Sequence, residues 1–524
     1  MKMRKKIKND SKRRLGVLVS MSSMPGEFGI GDFGRESRCL LDRLSECGIR
    51  TLSLLPMNPT GFGNSPYQSP SAFAGNINYI SPQSLFEDGL LRREDLEKVR
   101  CSGRDMVDYG QIFDTREPML KKAYGAFVKG GGLQNEEYRK FCRISGGWLD
   151  DFAAYMAIKG TMNYRSWNQW SPELAGRKEP AYSCWLEEHR EELEFWKFTQ
   201  FIFFRQWGQW KEHANERGIE IIGDMPFYVA ADSADVWSRP ELFAVNPESG
   251  RIELWAGVPA DDFSGSDRNW GNPVYNWNNH RKDDYAWFRK RIRMCGAMYD
   301  ALRIDHVIAM MRYFGIKDGE NKGKWYDGPE TADNGFSRAI CEEAEKSGLS
   351  IIAEDLGRVP DGLRERMEES GWPGMRILQF AFVGKYGAKS NHLPFCHQKE
   401  MVVYTGTHDN ATLKEFLSQK TDKELEYMKW WTGKNTKEEL QWALIEECCK
   451  SPANLAIIPI QDLLELGEEA RMVYSDDYDR SWKWRLSGIE QLHEDVCRRI
   501  KKTAVLTGRC GVENDADFFQ YLEW

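Results

Sequence analysis

Five segments of this chain run apolar and then reach an acid. Asp224 stands in IEIIGDMPFYV, Asp305 in ALRIDHVIAM, Glu354 in LSIIAEDLG, Asp409 in MVVYTGTHDN and Asp462 in LAIIPIQDLL. One acid at the end of a strand is ordinary, because it caps the next helix or pairs with an arginine. Five of them on one rim pose a harder problem. Like charges disfavour each other's ionisation, so one carboxyl stays protonated near neutral pH while another stays charged. Two carboxyls with split roles suit glycoside chemistry, one as nucleophile or base and the other as acid. The competing use of such a cluster is a magnesium ion on a phosphate substrate. The chain has no GxxxxGK[ST] loop, and SSMPGEF separates its GIGDFG (29–34) from the preceding apolar run. That spacing breaks the strand–turn–helix unit a dinucleotide needs. Neither a metal nor an organic cofactor is expected.

These acids need a scaffold that gathers strand ends. Eight segments read as strands: 15–21, 49–56, 219–229, 301–310, 349–357, 375–382, 401–410 and 455–464. Helical stretches separate them, which predicts an α/β fold, a (β/α)8 TIM barrel with its active site at the C-terminal strand ends. Residues two apart on a strand share a face, so Arg303 and Asp305 point together and His306 points the opposite way. His306 then serves either as a structural hydrogen-bonding residue or as a substrate contact. The barrel is expected to occupy 15–524. Two insertions interrupt it: a mainly helical subdomain at 85–215, over the mouth, and a loop subdomain at 232–295. Residues 1–14, MKMRKKIKNDSKRR, read as a disordered basic tail.

Composition narrows the partners. The formal charge of −8 over 524 residues leaves no basic surplus for nucleic acid. No run of 18 apolar residues occurs, so no membrane span is expected. Twelve cysteines without a CxxC pair fit reduced thiols in the cytoplasm. Twenty tryptophans is high: core packing accounts for most of them, and flat faces for stacking sugar rings or similar ligands are the alternative use.

Longer motifs carry a resemblance. SMSSMPGEFGIGDFG, LPMNPTGFGNSPYQSPSAFAGN, IIGDMPFYVAADSADVW, WGNPVYNW, LRIDH, IIAEDLG, VVYTGTHDN, IIPIQDLLELGEEARM and WKWR follow one another as in the amylomaltases. These are 4-α-glucanotransferases, or disproportionating enzymes, related to the α-amylases. The resemblance spans about residues 15 to 486. It implies retaining transfer of α-1,4-glucan segments between maltooligosaccharides. By motif position, Asp305 would be the nucleophile, Glu354 the general acid/base and Asp409 the third carboxylate, which holds the distorted sugar ring. Arg303 would orient Asp305. His408 and Asp224 would bond sugar hydroxyls, Tyr67 would stack on the transferred ring, and Trp270 would lie in a mobile loop on the acceptor side.

The chain departs from that family at Arg268, Ile308, Ala309, Ala411 and Ser481, where a glutamine, an arginine, a glycine, an aspartate and an asparagine are usual. The departures avoid the three carboxylates. They leave chain-length preference open, and with it two alternatives: an α-glucan hydrolase on the same scaffold, or a catalytically weak glucan-binding protein. The sequence gives no oligomeric state.

Overall fold

Eight short apolar runs close around a common axis in the computed structural model, which describes residues 13–510 apart from 62, 102–104, 247, 261–265, 384–388 and 475–476. The barrel strands are β1 (Arg14–Val19), β2 (Thr51–Leu54), β3 (Glu220–Met225), β4 (Ala301–Ile304), β5 (Ser350–Ala353), β6 (Gly374–Ile377), β7 (Met401–Tyr404) and β8 (Leu455–Pro459). All neighbours are parallel, in the order β6–β7–β8–β1–β2–β3–β4–β5. Their side chains are buried on both faces, because the barrel interior lies on one side and helices on the other.

The seam between β5 and β6 is closed by fewer backbone bonds and by one side chain. The Ala353 amide donates to the Pro373 carbonyl at 2.9 Å. Asp355, just past β5, accepts the Met375 amide at 2.8 Å and the Arg376 guanidinium at 3.0 Å. Gly374 makes room for it, since a Cβ there would lie 2.7 Å from Asp355 Oδ1.

Several expectations shift. Residues 1–12 lie outside the described residues, but Arg13 and Arg14 are no tail. Arg13 donates to the carbonyls of Thr507, Ser451 and Cys449, and Arg14 opens β1 and pairs with Glu220. The segment 301–310 is not one strand. β4 stops at Ile304, His306 takes a left-handed φ of 48°, and Val307–Met310 forms a 3-10 turn. Face alternation therefore does not reach His306.

Between β2 and β3 lie the helices Tyr109–Lys129, Glu136–Thr161 and Arg190–Glu216, packed through rings such as Phe127 and Phe198, 4.9 Å apart. Asp108 and Asn135 cap the first two. Arg190–Glu216 also lies on the barrel: Trp210 donates to Ser37 at 3.0 Å and packs against Phe33. It is thus barrel wall as well as part of the 85–215 stretch. After β3, four antiparallel strands form a small sheet in the order Arg268–Pro273, Leu254–Val258, Arg312–Lys317, Gly323–Asp327. Half of it comes from beyond β4, outside the expected 232–295, whose end (Ala286–Met298) is the helix leading into β4. Among the described residues, no helix is long and apolar enough to cross a membrane.

Candidate active site

Strand register builds the charged centre. Asp224 on β3 and Arg303 on β4 are cross-strand partners, so an acid and a base 79 residues apart face each other inside the barrel. Arg303 Nη1 lies 2.7 Å from both Asp224 oxygens. Its Nη2 reaches forward to Asp305 Oδ1 at 2.9 Å. One planar guanidinium therefore clamps two carboxylates, a geometry a lysine cannot supply. Burial disfavours the charge on Arg303, but Asp224 and Asp305 outweigh it and hold the guanidinium protonated. Burial also pushes the Asp224 carboxyl up, with Arg303 working against it. The Asp224 side chain is 3% exposed and that of Asp305 27%, so of the two only Asp305 is open to an incoming molecule.

Glu354 follows β5 directly and is anchored by backbone. The His306 amide donates to Oε2 at 2.7 Å and the Leu356 amide to Oε1 at 2.8 Å. The left-handed turn at His306 is what directs its amide there; φ above zero is costly for a non-glycine residue and is held by its surroundings. Burial raises the Glu354 pKa to about 8, with a further push from the Asp305 charge, while Arg303 and the two amides pull it down. At neutral pH Glu354 carries a proton beside an arginine-clamped acid. This is the split of roles that glycosyl transfer requires.

The remaining groups lie around this pair. Past β7, the loop 405–412 presents His408 and Asp409, with His408 Nε2 3.4 Å from Asp409 Oδ1 and the Asp409 side chain 65% exposed. Tyr67 donates its hydroxyl to Asp224 Oδ2 at 2.7 Å, and its ring stacks on His408 at 5.0 Å and 13°. Trp270, on the edge strand of the small sheet, meets the His306 ring edge-on at 4.9 Å. Burial lowers the His306 pKa, which favours the neutral ring. Gln68 ties the Tyr67 loop to the small sheet, its amide donating at 2.7 Å to both the Trp270 carbonyl and Asn272 Oδ1.

A sequence profile described as 4-alpha-glucanotransferase matches residues 19–491. The 4-alpha-glucanotransferase of Clostridium butyricum is 38% identical over 94% of this chain and 100% of its own length. That of Thermus thermophilus is 38% identical over 95% and 99%. The chain belongs to the 4-alpha-glucanotransferase family. Among solved structures, amylomaltase from Streptococcus agalactiae in complex with acarbose superposes with a TM-score of 0.88 at 33% identity, covering 95% of this chain and all of the other. Amylomaltase from Corynebacterium glutamicum, at 18% identity and TM-score 0.77 over 94% and 75%, shares the fold. Glucan transglycosylation is the activity of this chain, and its (β/α)8 barrel is that of the amylomaltases.

The residues singled out in the sequence form a chain of contacts: Tyr67–Asp224–Arg303–Asp305, His306–Glu354, Tyr67–His408–Asp409 and Trp270–His306. Asp462 does not reach the rim. It is 1% exposed, beneath the 405–412 loop. Three contributors were not read as site groups from the sequence, although Trp482 opens the WKWR motif. The amides of His306 and Leu356 belong to the backbone, and Trp482 stands 5.9 Å from Tyr67 and 5.8 Å from His408 only because the C-terminal segment folds back over the barrel. Of the departures, Ile308 and Ala309 are buried in the 3-10 turn, and Ser481 Oγ accepts the Tyr474 amide at 2.9 Å. The Ala411 carbonyl accepts from Gln379, and Arg268 is exposed two residues before Trp270. Among the described residues no group of three or more His, Cys, Asp or Glu could hold a metal ion.

Proposed function

We propose that Asp305 attacks the anomeric carbon of a bound α-1,4-glucan while Glu354 gives its proton to the departing 4-oxygen. The shortened chain leaves, and a β-glucosyl ester remains on Asp305. The acceptor's 4-hydroxyl then loses its proton to the Glu354 carboxylate and attacks the same carbon, Asp305 departs, and the α configuration is retained. Asp409 and His408 hold the distorted ring and Tyr67 stacks on its face, while Asp224, closed to an incoming sugar and expected from the sequence to bond its hydroxyls, instead holds Arg303 and the Tyr67 hydroxyl in place. Arg303 aims Asp305. Trp270 and His306 shape the acceptor side and exclude water, which favours a sugar over hydrolysis.

The observation that carries this reading is the clamp of Arg303 on Asp305 beside a buried, backbone-held Glu354 whose pKa stands at about 8. Maltooligosaccharides fit as substrates, since the acarbose-bound amylomaltase shares this fold over its whole length. The helical stretch 85–215 serves as a subdomain bracing the rim: its Gln200 accepts the Gly75 amide and its Lys159 pairs with Asp232. The segment 232–295 provides the wall that carries Trp270. Twelve unpaired cysteines fit the cytoplasm.

Incubation with maltotriose tests the reaction. Glucose and chains longer than the substrate are expected while total reducing ends stay constant, and D305N or E354Q lowers the rate by about three orders of magnitude or more. Shorter products alone, with rising reducing ends, would mean hydrolysis. Unchanged turnover in both variants would reject the assigned residues.

A further inference from the structure

The loop 405–412 carries two of the groups placed at the sugar ring, and at its tip the His408 ring packs against Tyr67 and Trp482. A cavity of about 20 Å³ adjoins it, its lining including Thr407, His408, Asn410, Leu55, Gln461 and Asp462. Polar anchors tie the rest of the loop. Within the loop, Asn410 Oδ1 accepts the Thr407 amide at 2.8 Å and so fixes the tip. At the flank, Gln379 donates to the Ala411 carbonyl at 2.8 Å. At the root both ends converge on one side chain. The Thr405 hydroxyl donates to Asp462 Oδ2 at 2.7 Å, and the Leu413 amide donates to Asp462 Oδ1 at 2.7 Å.

We infer that Asp462 is a positioning residue for glucan transfer, clamping the two ends of the 405–412 loop so that His408 and Asp409 are held at the reacting ring. It touches no substrate itself, being 1% exposed under the loop. An acid at this place is costly, because burial raises its pKa to about 6 and the only forces opposing that are the two bonds from the loop. A core position with purely structural duty is served as well by an apolar side chain of similar volume. The carboxylate is suited to what an apolar side chain cannot do, which is to accept from both ends of one loop at once. Truncating it removes both anchors and enlarges the cavity, which loosens the two ends of the loop.

The inference rests on the reading of Asp409 and His408 as substrate-contacting groups, and the test separates the two. Maltotriose turnover is measured for D462A, D462N and T405V, each alone and combined with D409N and with H408A, alongside the thermal midpoint of each protein. D462A is expected to lower kcat by about 10- to 100-fold with KM little changed, because two bonds to a charged acceptor are lost. D462N should stay within about threefold, since its amide oxygen still accepts from Leu413 and its NH2 group can donate to Thr405 Oγ1. T405V, which removes one anchor and leaves Asp462 in place, should fall between them and keeps the test informative if D462A folds poorly. The costs should not multiply with those of D409N or H408A, because all act through one loop. Multiplicative costs with both, or wild-type kcat in D462A and T405V with only a lower thermal midpoint, would overturn the inference. D409N at wild-type turnover would remove Asp409 from the mechanism but leave the His408 cycle to decide on Asp462.

Discussion

Glu354 shows how much one side chain's surroundings settle. A glutamic acid ordinarily titrates near 4.5, and burial with the Asp305 charge lifts this one to about 8. Two outcomes follow. The first transfer step needs the protonated form, so activity should fall as pH rises through about 8, read as the alkaline limb of kcat/KM on maltotriose. The second concerns stability. Between about 4.5 and 8 the folded protein holds a proton that the unfolded chain has released, so stability declines as pH rises across that window. E354Q escapes this cost. It should be inactive yet unfold later in urea than wild type, with a gap that is small near pH 5 and grows to the order of a few kcal/mol by pH 8. A gap that stays constant with pH would contradict a raised Glu354 pKa.

At the scale of elements, the site is held by segments that meet from distant parts of the chain. Gln68 is the clearest tie, one amide bonded to both the Trp270 carbonyl and Asn272. Q68A should let the edge strand drift and carry part of the phenotype of W270A. Both should raise the acceptor KM and the glucose released by hydrolysis, W270A by about tenfold and Q68A by less, measured with a fixed donor and varied maltose acceptor. A Q68A enzyme with an unaltered acceptor KM would separate the tie from function. This scale also shows where the sequence is readable. Strand-end acids stood out because each closes an apolar run, and Arg303 with Asp305 followed from alternation carried one residue past β4. The pairing of Asp224 with Arg303 depends on register between β3 and β4, which no local pattern encodes. Glu354's two amide donors were invisible because every non-proline residue has an amide, and only the turn at His306 aims this one. Asp462 misled for the converse reason: an acid at a strand end looks the same whether it faces the rim or the underside of a loop.

For the whole molecule, eight apolar runs announced the barrel because strands buried on both faces have a composition that survives without neighbours. The small sheet was not legible as a unit. Two of its strands precede β4 and two follow it, so no contiguous stretch marks it. Nor was the seam, where Asp355 and Arg376 supplement the sparse backbone bonding between β5 and β6. D355A leaves Arg376 buried without its partner and should lower stability by about 3–5 kcal/mol, seen as a lower urea midpoint. Because Asp355 adjoins Glu354, activity should be lost at least as early as tryptophan fluorescence changes; a midpoint equal to wild type would place the strength of the barrel elsewhere.

Transfer depends on Asp305 forming the bond to sugar while Glu354 handles the proton. The most direct measurement is peptide mass spectrometry of E354Q after brief exposure to α-maltosyl fluoride, a donor whose leaving group needs little protonation. A maltosyl adduct is expected on the peptide that contains Asp305, and none when D305N is added to E354Q. An adduct on another residue, or release of β-configured products with no adduct at any time, would contradict it.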